Sequence, residues 1–152
     1  MEKPQPRVAS KRRPPSGGPP NRFMRARDDR QAETAEDYVE LIAELIRRNG
    51  QARAADVARS LGVTHVTVLK TVARLARDGL VTSEPYRAIF LTERGRALAE
   101  HSRTRHQIVA RFLLAIGVDA ETAHADAEGM EHHASQETLR AFERLTRELT
   151  RK

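Results

Sequence analysis

The stretch QARAADVARSLGVTHVTVLKTVARLARDGLV, residues 51–81, permits few folds. Apolar residues recur at helical spacing on either side of Leu61-Gly62-Val63, and Gly62 tolerates the positive φ that a turn between two crossing helices needs. The pattern predicts one helix from about Ala54 to Ser60 and a second opened by Thr64 as N-cap. Val68, Val72 and Leu75, at i, i+4 and i+7, give the second helix a single buried stripe, and Leu80 follows the terminating Gly79. The next residues, LVTSEPYRAIFLT, are β-rich, with Val81 and Ile89 to Leu91 expected as strands around a turn at Glu84 to Arg87. Together these are the parts of a winged helix-turn-helix.

The outer side of the second helix offers Thr64, His65, Val66, Thr67, Lys70, Thr71 and Arg74, and Arg87 stands near the wing tip. Small hydroxyls, an imidazole and cations suit a helix in the major groove, where they meet base edges and phosphates. Charge points the same way: residues 50–100 carry eight Lys/Arg against five Asp/Glu, whereas residues 31–49 carry two against five. A basic helical domain that packs on another protein would share part of this pattern, but not the turn, stripe, wing and charge excess together. Aromatic residues make up only 4% of the chain, which disfavours a single-stranded RNA partner that needs stacking platforms.

The expected organisation is mostly α. A basic, Pro-rich tail over residues 1–33 has no hydrophobic periodicity and reads as disordered; it holds six of the seven prolines. The winged helix-turn-helix DNA-binding domain spans 34–94, and an α-helical metal-binding and dimerisation domain spans 95–152. In TAEDYVELIAELIRRNG, Tyr38, Leu41, Ile42, Leu45 and Ile46 form an apolar face and Gly50 is a C-cap. After the wing, helices are expected from about Glu93 to Ile116, Ala120 to His133, and Ser135 onward. Their aliphatic surface exceeds what so few helices can hide, so a homodimer is expected. No run of eighteen apolar residues and no signal-like apolar region occurs, which makes the expected compartment the cytoplasm, without membrane contact.

AEGMEHH, residues 127–133, concentrates carboxylates and imidazoles in a chain with six histidines. On a helix, Glu128, Glu131 and His132 fall at i, i+3 and i+4, on one face. Carboxylates so close repel unless a cation or special hydrogen bonds offset the charge. The chain has no cysteine, so a metal would be held by oxygen and imidazole alone. Ordinary alternatives exist: the run could be a solvated face, Asp37 and Glu40 could be first-turn acids complementing a helix dipole, and His106 a core histidine. Glu121 and His124 form an Glu-x-x-His pair, but di-iron bundles use that motif twice, and one copy is insufficient.

EDYVELI, RHQIVARFLLAIGVD and DAEGMEHH resemble the metal-binding segments of the manganese-responsive transport regulator branch of the diphtheria toxin repressor family. The resemblance runs from about Glu36 to the C-terminus. It implies a binuclear site on Asp37, Glu40, His106, Glu128, Glu131 and His132, with Mn(II) as cofactor, two per subunit, and a homodimer with two winged-helix domains on a double-stranded DNA operator. Its implied function is a manganese-dependent transcriptional regulator that represses metal-uptake genes when Mn(II) is bound. An iron-responsive or a metal-independent winged-helix regulator is the alternative. An enzyme is not expected, since no HExxH, nucleophile elbow or phosphate loop is present.

Overall fold

A computed structural model describes residues 22–151. Its elements run α1 (Arg22–Asn49), α2 (Ala54–Leu61), α3 (His65–Arg77), β1 (Val81–Thr82), β2 (Phe90–Leu91), α4 (Glu93–Ala115), α5 (Ala120–Met130) and α6 (Gln136–Leu149). The chain is thus mostly α, as the sequence suggests. One expectation is corrected: residues 22–33, read as part of the disordered tail, are helical and extend α1. RFMRARDDRQAE contains neither proline nor glycine and is rich in good helix formers, so the helix propagates back from its packed segment. Residues 1–21 of the tail lie outside the described residues.

The helix-turn-helix is built from local signals. Gly62 caps α2 in the left-handed region at φ 66°, and Thr64 caps α3 by accepting from the Thr67 backbone N–H at 3.1 Å. Val57, Val68 and Leu75 are fully buried and Val72 nearly so; they pack with Tyr38, Val39, Ile42 and Leu45 of α1 in a first core. The wing is a two-stranded antiparallel sheet with Val81 opposite Leu91 and Thr82 opposite Phe90, extended by a bridge between Ala52 and Ile89. Thr92 ties it to α4: its hydroxyl donates to the Gly79 carbonyl at 2.6 Å and accepts from the Gly95 N–H at 3.1 Å.

The long α4 joins the two halves. Ala99, in its first half, belongs to the first core, and Val109, Ala110 and Leu113 in its second half pack with Ala123, Ala127 and Leu139 in another. Phe112 and Phe142 stack with centroids 4.0 Å apart, fixing α6 against α4. The α5 helix ends at Met130, not at about His133, so Glu131 is its C-cap and His132 lies in the following turn. The cause is a guanidinium from α4: Arg105 donates through Nε to the Glu131 carbonyl at 2.9 Å, through Nη2 to the same oxygen, and through Nη2 to the Ala134 carbonyl at 2.8 Å. These bonds hold the last turn, and Ser135 starts α6 as its N-cap.

Candidate metal centre and DNA-reading face

Glu131 lies at the middle of a carboxylate and imidazole cluster. Its side chain is 1% exposed, with Oε2 2.7 Å from His106 Nδ1 and Oε1 3.8 Å from His132 Nε2. On the Oε2 side, Glu128 Oε1 stands 3.6 Å from the same His106 nitrogen, and donor atoms of His106, Glu128 and Glu131 all lie within 4.8 Å of one another. On the Oε1 side, Asp37 Oδ1 is 3.2 Å from His132 Nε2. Glu40 comes in from α1, one turn after Asp37, and accepts from the buried Ser102 hydroxyl at 3.1 Å. The six candidate ligands thus come from α1, α4, the end of α5 and the turn after it, and the fold brings all six into one neighbourhood.

The electrostatics are those of crowded acids. Burial, then the charges of Glu128 and Glu40, raise the Glu131 carboxyl to about 8. Burial is also the main cause of the raised Asp37 and Glu40 values; His132 partly offsets it for Asp37, and the Ser102 hydrogen bond does so for Glu40. For His132, burial works against the charged form, but the Glu36 hydrogen bond and Asp37 outweigh it and the value is raised. Among the described residues, Glu131 Oε1 is a buried oxygen without a hydrogen-bond partner. A buried acceptor left unpaired is destabilising unless something unusual satisfies it, and here the surrounding donors are oxygens and imidazole nitrogens. That set fits a hard or borderline divalent cation.

Four neighbours escaped the sequence reading. Glu36 Oε2 is 2.6 Å from His132 Nδ1, Ser102 and Arg105 act as above, and the His124 Nδ1 lies 3.2 Å from His106 Nε2. His124, discounted as half of an Glu-x-x-His pair, therefore stands behind a candidate ligand. A signal existed for two of them: Ser102 precedes His106 by four residues, and His124 precedes Glu128 by four, each on the same helical face.

On α3, Val68, Val72 and Leu75 point inward, so at 100° per residue Val66, Lys70, Ala73 and Arg77 point outward. His65, Val66, Thr67 and Lys70 are exposed, and Thr64 is exposed at the cap. Arg74 differs from expectation: it lies on the flank, half-buried, with Nη2 buried and without a partner among the described residues. Arg77, overlooked in the sequence, holds the outward place instead. Arg87 is exposed at the wing tip, 3.2 Å from Glu84, where Tyr86 adopts φ 60° after Pro85.

Comparison with known proteins decides the family. Residues 31–89 match the model of the iron dependent repressor N-terminal DNA binding domain, and residues 92–152 match the iron dependent repressor metal binding and dimerisation domain. The chain belongs to the iron-dependent repressor family. Its place is the MntR branch: it is 52% identical over 124 residues to the transcriptional regulator MntR of Escherichia coli O6:H1, covering 82% of this chain and 80% of that protein. The HTH-type transcriptional regulator MntR of Bacillus subtilis is 39% identical over 104 residues, covering 68% and 73%. Among solved structures, the manganese regulator SloR superposes with a TM-score of 0.65 at 25% identity, covering 74% of this chain and 53% of that one, so the chain spans about half of SloR. This iron-dependent repressor homologue is therefore a metal-dependent, DNA-binding transcriptional regulator and not an enzyme, with a DNA-binding unit followed by a metal-binding and dimerisation unit. No described helix is long and apolar enough to cross a membrane.

Proposed function

We propose that this chain is a cytoplasmic, manganese-responsive repressor of metal-uptake genes that binds a double-stranded operator as a homodimer. Asp37, Glu40, His106, Glu128, Glu131 and His132 hold two Mn(II) ions per subunit. The observation that carries this reading is the buried Glu131 carboxyl, with one oxygen toward His106 and Glu128 and the other, unpaired, toward His132 and Asp37. A carboxylate shared in this way suits two neighbouring cations. The six donors include no sulfur, which supports manganese over softer metals, and the MntR names of the most similar relatives support the same assignment.

The mechanism is linkage between helices. Asp37 and Glu40 ride on α1, which packs into the DNA-binding core, while His106 rides on α4, Glu128 on α5, and Glu131 and His132 on the C-cap and turn that follow it. Four carboxylates in one neighbourhood repel; burial first, and that repulsion after it, raise the pKa values of Asp37, Glu40 and Glu131. Bound Mn(II) supplies the positive charge that quenches this repulsion. The carboxylates then draw α1 toward α4 and α5, and the position of α1 sets where each recognition helix stands. In the dimer, this narrows the separation of the two α3 helices toward the roughly 34 Å between successive major-groove faces. Exposed Met130, Leu114, Ile116, Leu145 and Leu149, on the second half of the molecule, supply apolar surface for the subunit contact.

Fluorescence anisotropy on operator and random duplexes, with chelator against Mn(II), tests the reading. Mn(II) should tighten operator binding by about five- to 150-fold per coupled event. Operator affinity indifferent to chelator would leave only a constitutive DNA binder.

A further inference from the structure

We infer that Glu36 is a positioning residue for the metal centre, holding His132 in the one tautomer and orientation in which its Nε2 can act as a ligand. This deepens the metal-centre reading and rests on it. The Glu36 carboxylate is 2.6 Å from His132 Nδ1, and His132 Nε2 points the other way, 3.2 Å from Asp37 and 3.8 Å from Glu131. The imidazole side chain is 3% exposed, so it has little choice of partners. A neutral imidazole carries one proton: with Nδ1–H donated to Glu36, the lone pair lies on Nε2, among the carboxylates. The opposite tautomer would put a lone pair against the Glu36 carboxylate and an N–H where a cation belongs.

Glu36 is not itself placed to ligate. It sits on the far edge of the ring from Asp37 and Glu131, so an ion on Nε2 is beyond its reach. The α1 stripe Glu33, Glu36, Asp37 and Glu40 therefore divides its work. Asp37 and Glu40 face the cluster, Glu36 faces the back of His132, and Glu33 faces His133 at 3.8 Å. A carboxylate behind a ligating imidazole also raises its basicity, and loss of such a partner typically weakens metal affinity by about ten- to 100-fold. Because Glu36 is on α1 and His132 follows α5, the same bond also joins the DNA-binding half to the metal-binding half across 96 residues of sequence.

The test uses the full chain with Mn(II) alone as probe. Electron paramagnetic resonance of free Mn(II) gives affinity and stoichiometry for wild type, Glu36→Ala and Glu36→Gln, and ¹⁵N spectra of the histidines in the metal-free protein at about pH 9 report the His132 tautomer. Glu36→Ala should bind about ten- to 100-fold more weakly with the same number of ions per subunit, and its His132 should lose the single Nδ1–H form. Glu36→Gln keeps an acceptor and the side-chain shape, so it should keep the tautomer and recover part of the affinity. A stoichiometry reduced by one ion in Glu36→Ala would make Glu36 a ligand and overturn the inference, as would an unchanged tautomer. If the wild type itself takes up no Mn(II), the metal reading fails, and the metal-free ¹⁵N spectra still decide whether Glu36 sets the ring.

Discussion

The carboxyl of Glu131 and the imidazole of His106 share a hydrogen bond of 2.7 Å across 25 residues of sequence, inside a site where Glu131 is raised to about 8. At neutral pH the acid is therefore mostly protonated. Both atoms are candidate ligands, so a cation can use them only after that proton leaves.

Metal uptake should accordingly release about one proton per subunit from Glu131 near pH 7, and apparent affinity should weaken by up to about tenfold per unit as pH falls below about 8. Calorimetric titration of Mn(II) in two buffers of different ionisation heat measures the release directly. A buffer-independent heat near neutrality would show that Glu131 is already ionised.

The same shift fixes the sign of stability against pH in the metal-free protein. An ordinary glutamate sits at 4.5, and Glu131 in the fold sits at about 8, so between these values the native chain binds a proton that the unfolded chain has lost. Stability falls as pH rises through that window, and the loss is complete above it. Asp37 and Glu40 are raised and act in the same direction; His132, also raised, contributes stability that is lost as pH rises through its folded value. Glu131→Gln cannot titrate, so its melting temperature should gain on the wild type from about pH 5.5 to about pH 8.5 in the presence of chelator. A constant difference between the two would remove Glu131 as the source.

What the sequence made legible was local. The Gly62 turn, the Thr64 cap and the Val68, Val72 and Leu75 stripe each follow from spacing within a few residues, and the structure reproduces them. The two helix ends that were misplaced depend on distant partners or on the absence of a stop. The start of α1 has no breaker between Arg22 and Thr34, and the end of α5 is set by Arg105, 26 residues away. The site followed the same division. Resemblance supplied six candidate ligands, but the residues behind them, Glu36 and Ser102, meet their partners only because α1 packs beside α4 and the turn after α5 reaches α1. Arg74 and Arg77 differ by burial on one helix, a distinction that charge alone does not make.

Gly95 marks where α4 presses on the DNA-binding core. A Cβ there would stand 2.0 Å from the Leu80 carbonyl oxygen and 3.0 Å from its carbon, both backbone atoms that cannot swing aside. Gly95→Ala should therefore push α4 away from the α3–β1 connection and cost about 1–3 kcal/mol or more. Gly62→Ala is the contrasting case, with nothing within 4 Å but φ at +66°, and should cost about 1–2 kcal/mol through backbone strain alone. Denaturant midpoints of both variants check the order. If Gly95→Ala is the milder of the two, the close approach of α4 is not a constraint on the fold.

The recognition helix separates three roles that its sequence runs together. Arg77 and Lys70 share the outward stripe with Val66, which is 59% exposed, so they are free to meet phosphates. Arg77→Ala and Lys70→Ala should weaken operator and random DNA alike and reduce the salt slope by about one each. Arg74 has a nitrogen buried beneath the flank, so Arg74→Ala should act on melting temperature and leave the salt slope nearly unchanged. His65 sits in the first turn of α3, exposed and beside the wing, the place we propose for contact with base edges. His65→Ala should cost about 1–3 kcal/mol on the operator and little on random duplex. Anisotropy titrations on both duplexes over a range of salt, with Mn(II) held saturating, distinguish the three. A salt slope that drops for Arg74→Ala and not for Arg77→Ala would reverse the assignment and place the flank, not the outward stripe, against DNA.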